Sequence, residues 1–159
     1  LCDRIDEMAE LGLGLTLSIS LHAADDETRS GIMPVNKQYN IARLMQSCKN
    51  YFAKTGRRIS YEYALIAGVN DSPAHAEALA KLLGGQNCHV NLIPVNPIKE
   101  RSYVQSGRKA IEAFKGCLES KGINVTIRRE MGRDIDGACG QLRKSYMDKE
   151  QEKEGAAVK

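Results

Sequence analysis

Aromatic residues are scarce in this chain, which has no tryptophan, two phenylalanines and only 5% aromatics among 159 residues. CxxC and CxxxCxxC motifs are both absent. The five cysteines are widely spaced, at Cys2, Cys48, Cys88, Cys117 and Cys139. An odd number at these spacings argues against a disulfide framework, and against a metal site made by this chain alone. The pattern fits a reducing compartment, so we expect a cytoplasmic protein.

Long apolar runs are missing as well. No stretch of 18 or more apolar residues occurs, so the sequence predicts no membrane span, and no signal peptide is visible. The chain starts at Leu1 inside a helical pattern, and we therefore expect a piece of a longer protein. Formal net charge is only +3, but basic residues outnumber acidic ones between Lys99 and Lys144. That excess suits either contact with phosphates or an ordinary solvated basic face.

Helical and strand patterns alternate along the chain. Helices are predicted over 4–14, 36–56, 71–85 and 107–122, and strands over 15–23, 57–66, 88–95 and 123–130. This order implies an α/β fold with parallel strands and right-handed helical crossovers. An open sheet and a slice of a barrel both fit, since a complete eight-unit barrel needs about 250 residues. In either fold the chemistry gathers at the carboxyl ends of the strands.

Two apolar patterns predict which side of these elements is buried. Leu15, Leu17, Ile19 and Leu21 alternate with polar residues along the first strand, and we expect them to face the helices. The second helix carries an apolar stripe of Ile41, Leu44, Met45, Cys48 and Phe52. Cys48, Cys88 and Cys117 lie within such patterns, which indicates small apolar fillers rather than reactive thiols.

Polar residues stand at the end of the first strand. Ser20 and His22 are two apart, so strand geometry would point both side chains to the same face. Together they could bind a polar ligand, or His22 could simply hydrogen-bond a loop carbonyl. A Ser–His nucleophile is disfavoured, because no nucleophile elbow accompanies the pair.

The next two strand ends also carry polar residues. Asn70, Asp71 and Ser72 follow the second strand and are typical of a turn that caps a helix. Asn96 follows the third strand, directly before Pro97. It is a candidate recognition group for hydroxyls or for an adenine edge, with a plain turn residue as the alternative.

Cys139 follows the last strand and lies between small residues in the stretch GACGQ. Arg128, Arg129 and Arg133 precede it, and cationic neighbours lower the pKa of a thiol and favour the nucleophilic thiolate. Glycines nearby would let a substrate approach and the loop move. The residue is a candidate reactive cysteine, against the alternative of an incidental exposed thiol.

Four consecutive blocks resemble one known family. They are LSISLHAADDETRSGIMPVN, FAKTGRRISYEYALIAGVNDSP, CHVNLIPVNP and VTIRREMGRDIDGACGQLR. Their order is similar to that in radical S-adenosylmethionine RNA methyltransferases, which modify carbon 2 of an adenosine in 23S ribosomal RNA and in a transfer RNA. The resemblance runs from about residue 1 to Arg143. It implies the second half of a partial (β/α) barrel with parallel strands and outer helices.

The resemblance also implies a mechanism and roles for individual residues. S-adenosylmethionine and a [4Fe-4S] cluster are the family's cofactors, and an external donor supplies electrons. Ser20, Leu21, His22 and Asn96 match the positions that contact S-adenosylmethionine. Cys139 matches the cysteine that carries a methyl group, from which a 5′-deoxyadenosyl radical takes hydrogen before the carbon adds to adenine. A second cysteine then releases the RNA by forming a disulfide.

Several family features are missing from this chain. The CxxxCxxC that holds the cluster, the resolving cysteine and the N-terminal RNA-binding region are absent. We therefore expect residues 1–144 to be the C-terminal half of a barrel that needs its N-terminal half, and residues 145–159 to be a charged, disordered tail. Two alternatives remain at this point. They are a related methyltransferase acting on carbon 8 of the adenosine, and a non-catalytic RNA-binding module.

Overall fold

The computed structural model describes residues 2–95 and 103–128, which fall within one compact unit. Its helices are α1 (Cys2–Glu10), α2 (Asp26–Ile32), a short 3-10 helix (Pro34–Lys37), α3 (Ile41–Thr55), α4 (Pro73–Leu83) and α5 (Arg108–Ser120). Its strands are β1 (Ser18–Ser20), β2 (Ile59–Leu65), β3 (Cys88–Pro94) and β4 (Asn124–Ile127).

The four strands form one parallel sheet in the order β1-β2-β3-β4. In the middle of the sheet, Ser20 lies beside Glu62, Glu62 beside Asn91, and Asn91 beside Thr126. A helix connects each strand to the next, so neighbouring strands run the same way. The predicted alternation of helices and parallel strands is confirmed.

Only one face of the sheet belongs to the apolar core. Along β2 and β3, buried residues alternate with half-buried ones, as strand geometry requires. The buried set, which includes Tyr61, Tyr63, Val90 and Leu92, joins one cluster with the buried residues of the helices. Within it the rings of Tyr63 and Phe114 lie 5.1 Å apart. The helices therefore cover this face, and the polar residues of the strands lie on the other.

The helix ends follow the predicted chemistry. Ser72 caps α4 by accepting from the backbone N–H of His75, and Pro73 occupies the first helical position. Gly56 ends α3 with a φ of 64°, in the left-handed region where glycine carries no steric penalty. Both predictions are confirmed, because such signals depend only on a few neighbouring residues.

Some details differ from the sequence prediction. Helix α2 and the short 3-10 helix were not predicted, and β1 is shorter than expected. Leu15 is 43% exposed and Phe52 39% exposed, so neither belongs to the core. Tyr51 is buried in place of Phe52, and its hydroxyl donates to the Leu15 carbonyl at 2.8 Å. Tyr51 can enter the core because this bond satisfies its polar end.

The cysteines of the described part are all free thiols. Cys48 and Cys88 are buried, as expected for apolar fillers, whereas Cys117 is half-buried with its thiol 3.5 Å from a carboxylate oxygen of Glu77. Burial raises the pKa of Cys48 to about 11, so its thiol stays protonated at neutral pH. Cys139, Asn96 and the predicted boundary at residue 144 lie outside the described residues.

Candidate functional site

A chain of hydrogen bonds crosses the polar face of the sheet. Ser18 Oγ donates to one carboxylate oxygen of Glu62 at 3.1 Å, and Asn91 Nδ2 donates to the other at 2.9 Å. Thr126 Oγ1 in turn donates to Asn91 Oδ1 at 3.2 Å. The strand register creates most of this row, because it places Glu62, Asn91 and Thr126 at the same level, while Ser18 reaches Glu62 diagonally from a position opposite Ser60.

His89 extends this row toward the amino ends of the strands. Its Nε2 lies 3.0 Å from Thr126 Oγ1, and its Nδ1 lies 3.2 Å from Ser60 Oγ. Burial lowers the pKa of His89, and Arg58 lowers it further. A parallel sheet usually has both faces covered. A hydrogen-bonded polar face, with Glu62, His89 and Asn91 half-buried and Ser18 and Thr126 exposed, is thus suited to the inside of a barrel that receives a polar ligand.

The candidate segment Ser20–His22 lies at the carboxyl end of β1. Ser20 is the last strand residue and is exposed, Leu21 is completely buried, and His22 is half-buried. His22 has a φ of 61°, in the left-handed region that costs a non-glycine residue roughly 1–2 kcal/mol. His22 is therefore outside the strand. The alternation of side chains along a strand therefore does not set the direction of the His22 side chain.

The surroundings of His22 fix its ring and its protonation. Its Nδ1 accepts a hydrogen bond from the backbone N–H of Ala64 at 3.0 Å, rather than meeting a loop carbonyl. The neutral ring consequently carries its proton on Nε2, which can donate. Burial lowers the pKa of His22, the charge of Arg29 lowers it further, and Glu62 opposes the shift. A neutral imidazole with an Nε2–H donor is the form present at neutral pH.

Arg29, on α2, was missed by the sequence analysis. It is only 4% exposed. Its Nε donates to the Leu21 carbonyl at 3.0 Å, and its Nη2 donates to the Ser20 carbonyl at 3.2 Å. Its Nη1 donates to Asn36 Oδ1 at 2.7 Å and to the Tyr39 carbonyl at 3.2 Å. Burial lowers the pKa of Arg29, but a guanidinium remains charged in proteins.

A local signal for the element that holds Arg29 was present in the sequence. Asp25 caps α2 by accepting from the backbone N–H of Thr28 at 2.7 Å. An aspartate directly before the first helical residue is a recognised start signal. The signal predicts a short helix, but it carries no information on the burial or the hydrogen-bond partners of the Arg29 side chain.

Asn70, in the loop after β2, was predicted as a turn residue, but its side chain also bonds to other parts of the chain. It is completely buried. Its Nδ2 donates to the carbonyls of His22 at 2.8 Å and Ala64 at 2.7 Å, and its Oδ1 accepts from the N–H of Ile66 at 2.8 Å. Tyr63 Oη donates to the Asn70 carbonyl at 2.9 Å. Asn70 thus joins the ends of β1 and β2.

Residues 2–95 and 103–128 contain no group of three or more His, Cys, Asp and Glu side chains able to hold a metal ion. These residues therefore do not fit an iron–sulfur cluster. Among the helices of these same regions, none is long and apolar enough to cross a membrane.

Comparison with solved structures defines the class of protein. A radical SAM methyltransferase from Sphaerobacter thermophilus matches 90% of this chain with a TM-score of 0.86 and 45% sequence identity, over 42% of its own chain. A domain of pyruvate-formate lyase-activating enzyme from Bacteroides vulgatus matches 80% of the chain with a TM-score of 0.64. At 17% identity, this second likeness concerns the fold alone. The fold is that of part of a radical SAM barrel, and the predicted partial barrel with outer helices is confirmed.

Sequence relatives identify the family. Proteins named probable dual-specificity RNA methyltransferase RlmN are 57% identical over 96% of the chain in Lachnospira eligens, and 56% identical over 88% in Bacillus subtilis. The chain belongs to the family of these proteins. It spans about two fifths of their length, namely 43% and 39%. No family model matches the chain.

Proposed function

We propose that this chain is part of an enzyme that methylates carbon 2 of adenosine in 23S ribosomal RNA and in transfer RNA. The observation that carries the proposal is the 57% identity, along nearly the whole chain, to a protein named a dual-specificity RNA methyltransferase. The likeness to a solved radical SAM methyltransferase supports the same conclusion. We assign this role to residues 1–144, with residues 145–159 as a tail, in a cytoplasmic protein.

S-adenosylmethionine is the proposed cofactor, and Ser20, Leu21, His22 and Asn96 are its proposed contacts. When bound, it supplies the methyl group and the radical precursor. The described part of the site offers groups that fit its polar atoms. The exposed Ser20 hydroxyl can donate or accept, and the Nε2–H of His22 can donate. Both lie where parallel barrels bind ligands, Ser20 at the carboxyl end of β1 and His22 just after it.

The [4Fe-4S] cluster has no proposed ligands in this chain. The sequence lacks the CxxxCxxC motif, and the described cysteines Cys2, Cys48 and Cys88 are buried in the helix-packed core. We therefore assign no reaction step of the cluster to these residues. The complete enzyme would take its cluster ligands from the N-terminal half of the same protein, and its electrons from an external donor.

Cys139 is the proposed methyl carrier. Carbon 2 of adenine is not nucleophilic, whereas a thiolate accepts a methyl group readily. The Cys139 sulfur would accept the methyl group that S-adenosylmethionine supplies, with the sulfonium–methyl bond breaking and S-adenosylhomocysteine as the leaving group. Arg128, Arg129 and Arg133 precede Cys139 in the sequence, and cationic neighbours of this kind favour a thiolate. A resolving cysteine outside this chain would then form a disulfide to release the RNA.

The test compares two cysteine substitutions in the full-length protein. Cys139→Ala is expected to abolish RNA methylation. Cys117→Ala, which removes a half-buried thiol beside Glu77, is expected to leave methylation unchanged. Mass spectrometry of ribosomal and transfer RNA nucleosides would measure the mark and its position.

Each unexpected result rejects one part of the proposal. Undiminished methylation by Cys139→Ala would reject the carrier role. A methyl group found only on carbon 8 would move the protein to the related carbon 8 activity. RNA binding without any methylation by the wild-type protein would favour the non-catalytic module.

A further inference from the structure

The end of β1 is held by an unusual set of side-chain donors. Three successive carbonyls, those of Ser20, Leu21 and His22, each accept a hydrogen bond from a buried side chain. Arg29 binds the first two, and Asn70 binds the third. Backbone carbonyls at a strand end usually bond to other backbone groups or to water. Here those partners are replaced by two side chains, Arg29 from α2 and Asn70 from the loop after β2.

These contacts act on a segment that would not hold its shape alone. The left-handed φ of His22 is unfavourable for any residue with a side chain, and Leu21 beside it has no solvent exposure. Residues kept in such conformations persist only where the surroundings determine them. The surroundings here include the backbone carbonyl of Glu62, which accepts from the N–H groups of Leu21 and His22 at 3.0 and 3.3 Å.

Arg29 is suited to this task by its shape. Its planar fork places Nε and Nη2 on neighbouring carbonyls at the same time, while Nη1 ties the group to Asn36 and Tyr39. No carboxylate is hydrogen-bonded to the guanidinium among the described residues. Its charge is therefore directed at carbonyl oxygens, where hydrogen bonds from an ionised donor are strong. A lysine would keep the charge but lose the two-carbonyl geometry.

We propose that Arg29 and Asn70 are positioning residues that hold Ser20–His22 in its cofactor-binding conformation before the cofactor arrives. The inference rests on the proposed function, in which that segment contacts S-adenosylmethionine. Neither residue needs to touch the cofactor. Both lower the free energy of binding because the segment is ordered in advance.

The first test is a matched pair of arginine substitutions in the full-length protein. Arg29→Lys is expected to weaken S-adenosylhomocysteine binding by about tenfold, which corresponds to about 1.4 kcal/mol. Arg43→Lys is the control, since Arg43 is a half-exposed arginine on α3 that bonds to Asp3 and Asp6. It is expected to bind normally. Isothermal titration calorimetry without reductant measures binding independently of turnover, and urea denaturation reports folding.

A second pair covers the case in which Arg29→Lys fails to fold. Asn70→Asp keeps the shape and the acceptor for Ile66, but loses the donor to His22. The exposed helix cap Asn40 provides the control, because Asn40→Asp preserves capping. Weaker binding by Asn70→Asp alone, with normal binding by Asn40→Asp, supports the inference.

A third readout separates positioning from general destabilisation. His22→Gly removes the penalty of the left-handed conformation, although it also removes the imidazole. In that background the residual binding is expected to depend less on Arg29, so Arg29→Lys should weaken it by less than about threefold. An unchanged tenfold effect would show that Arg29 does not act through the conformation of His22, and would overturn the proposal.

The remaining outcomes separate this inference from the proposed function. If the wild-type protein binds the ligand and a folded Arg29→Lys or Asn70→Asp variant binds equally well, the positioning role is overturned and the cofactor assignment stands. If the wild-type protein does not bind the ligand at all, the cofactor assignment fails and this inference fails with it.

Discussion

Replacing Tyr63 by phenylalanine tests the junction between the core and the candidate site. The Tyr63 side chain is completely buried, its ring packs on Phe114 at 5.1 Å, and its hydroxyl donates to the Asn70 carbonyl at 2.9 Å. Burial raises the pKa of Tyr63, so the hydroxyl keeps its proton across the working pH range. The substitution removes one oxygen and leaves the ring packing in place.

The expected loss follows from the burial of both partners. Asn70 is as buried as Tyr63, so its carbonyl cannot exchange the lost donor for bulk water. An unsatisfied buried acceptor costs about 1–3 kcal/mol. Tyr51→Phe removes a bond of similar length, at 2.8 Å, to the carbonyl of the exposed Leu15, where water can take over. We expect that control to lose about 1 kcal/mol or less.

The assay is urea denaturation of the full-length variants, monitored by far-ultraviolet circular dichroism. A lower midpoint at unchanged slope reports lost stability. Amide hydrogen exchange in β2 provides a local check. Equal losses for the two variants, or no loss for Tyr63→Phe, would refute the argument that burial of the Asn70 carbonyl sets the cost.

Two further predictions concern backbone strain and pH. Gly56→Ala meets no atom within 4 Å, so only its φ of 64° opposes it, and we expect a loss of about 1 kcal/mol. Gly116→Ala, inside α5 and equally open, should stabilise by about 0.5–1 kcal/mol. Urea midpoints of Gly56→Ala and Gly116→Ala equal to that of the wild-type protein would contradict both expectations. His22 has a lowered pKa when folded, so the unfolded chain takes up its proton first as pH falls below about 6.5. The contribution of neutral His22 to the free energy of unfolding is therefore complete above that pH and is lost as the pH falls below it. His22→Asn should make the urea midpoint less dependent on pH between 7 and 5.

Local sequence signals predicted every described helix and strand except α2 and the short 3-10 helix. The alternation of helical and strand periodicity predicted a parallel α/β sheet, and Ser72, Pro73 and Gly56 marked helix ends that the structure confirms. These features depend on residues within one or two turns of each other, which is why they can be recognised in the sequence. The polar pair Ser20 and His22 was also predicted at the end of the first strand, where the structure has the end of β1.

Tertiary structure alone decided how that segment is held. Arg29 is eight residues from Leu21, and Asn70 is 48 residues from His22, yet both bind the same short stretch. The sequence marked Asn70 only as a turn residue, and it gave no reason to bury Arg29. The choice of Tyr51 over Phe52 for the core is of the same kind, since it depends on whether a distant carbonyl can accept from the hydroxyl. Burying a polar side chain requires partners from other parts of the chain, and only the folded arrangement supplies them.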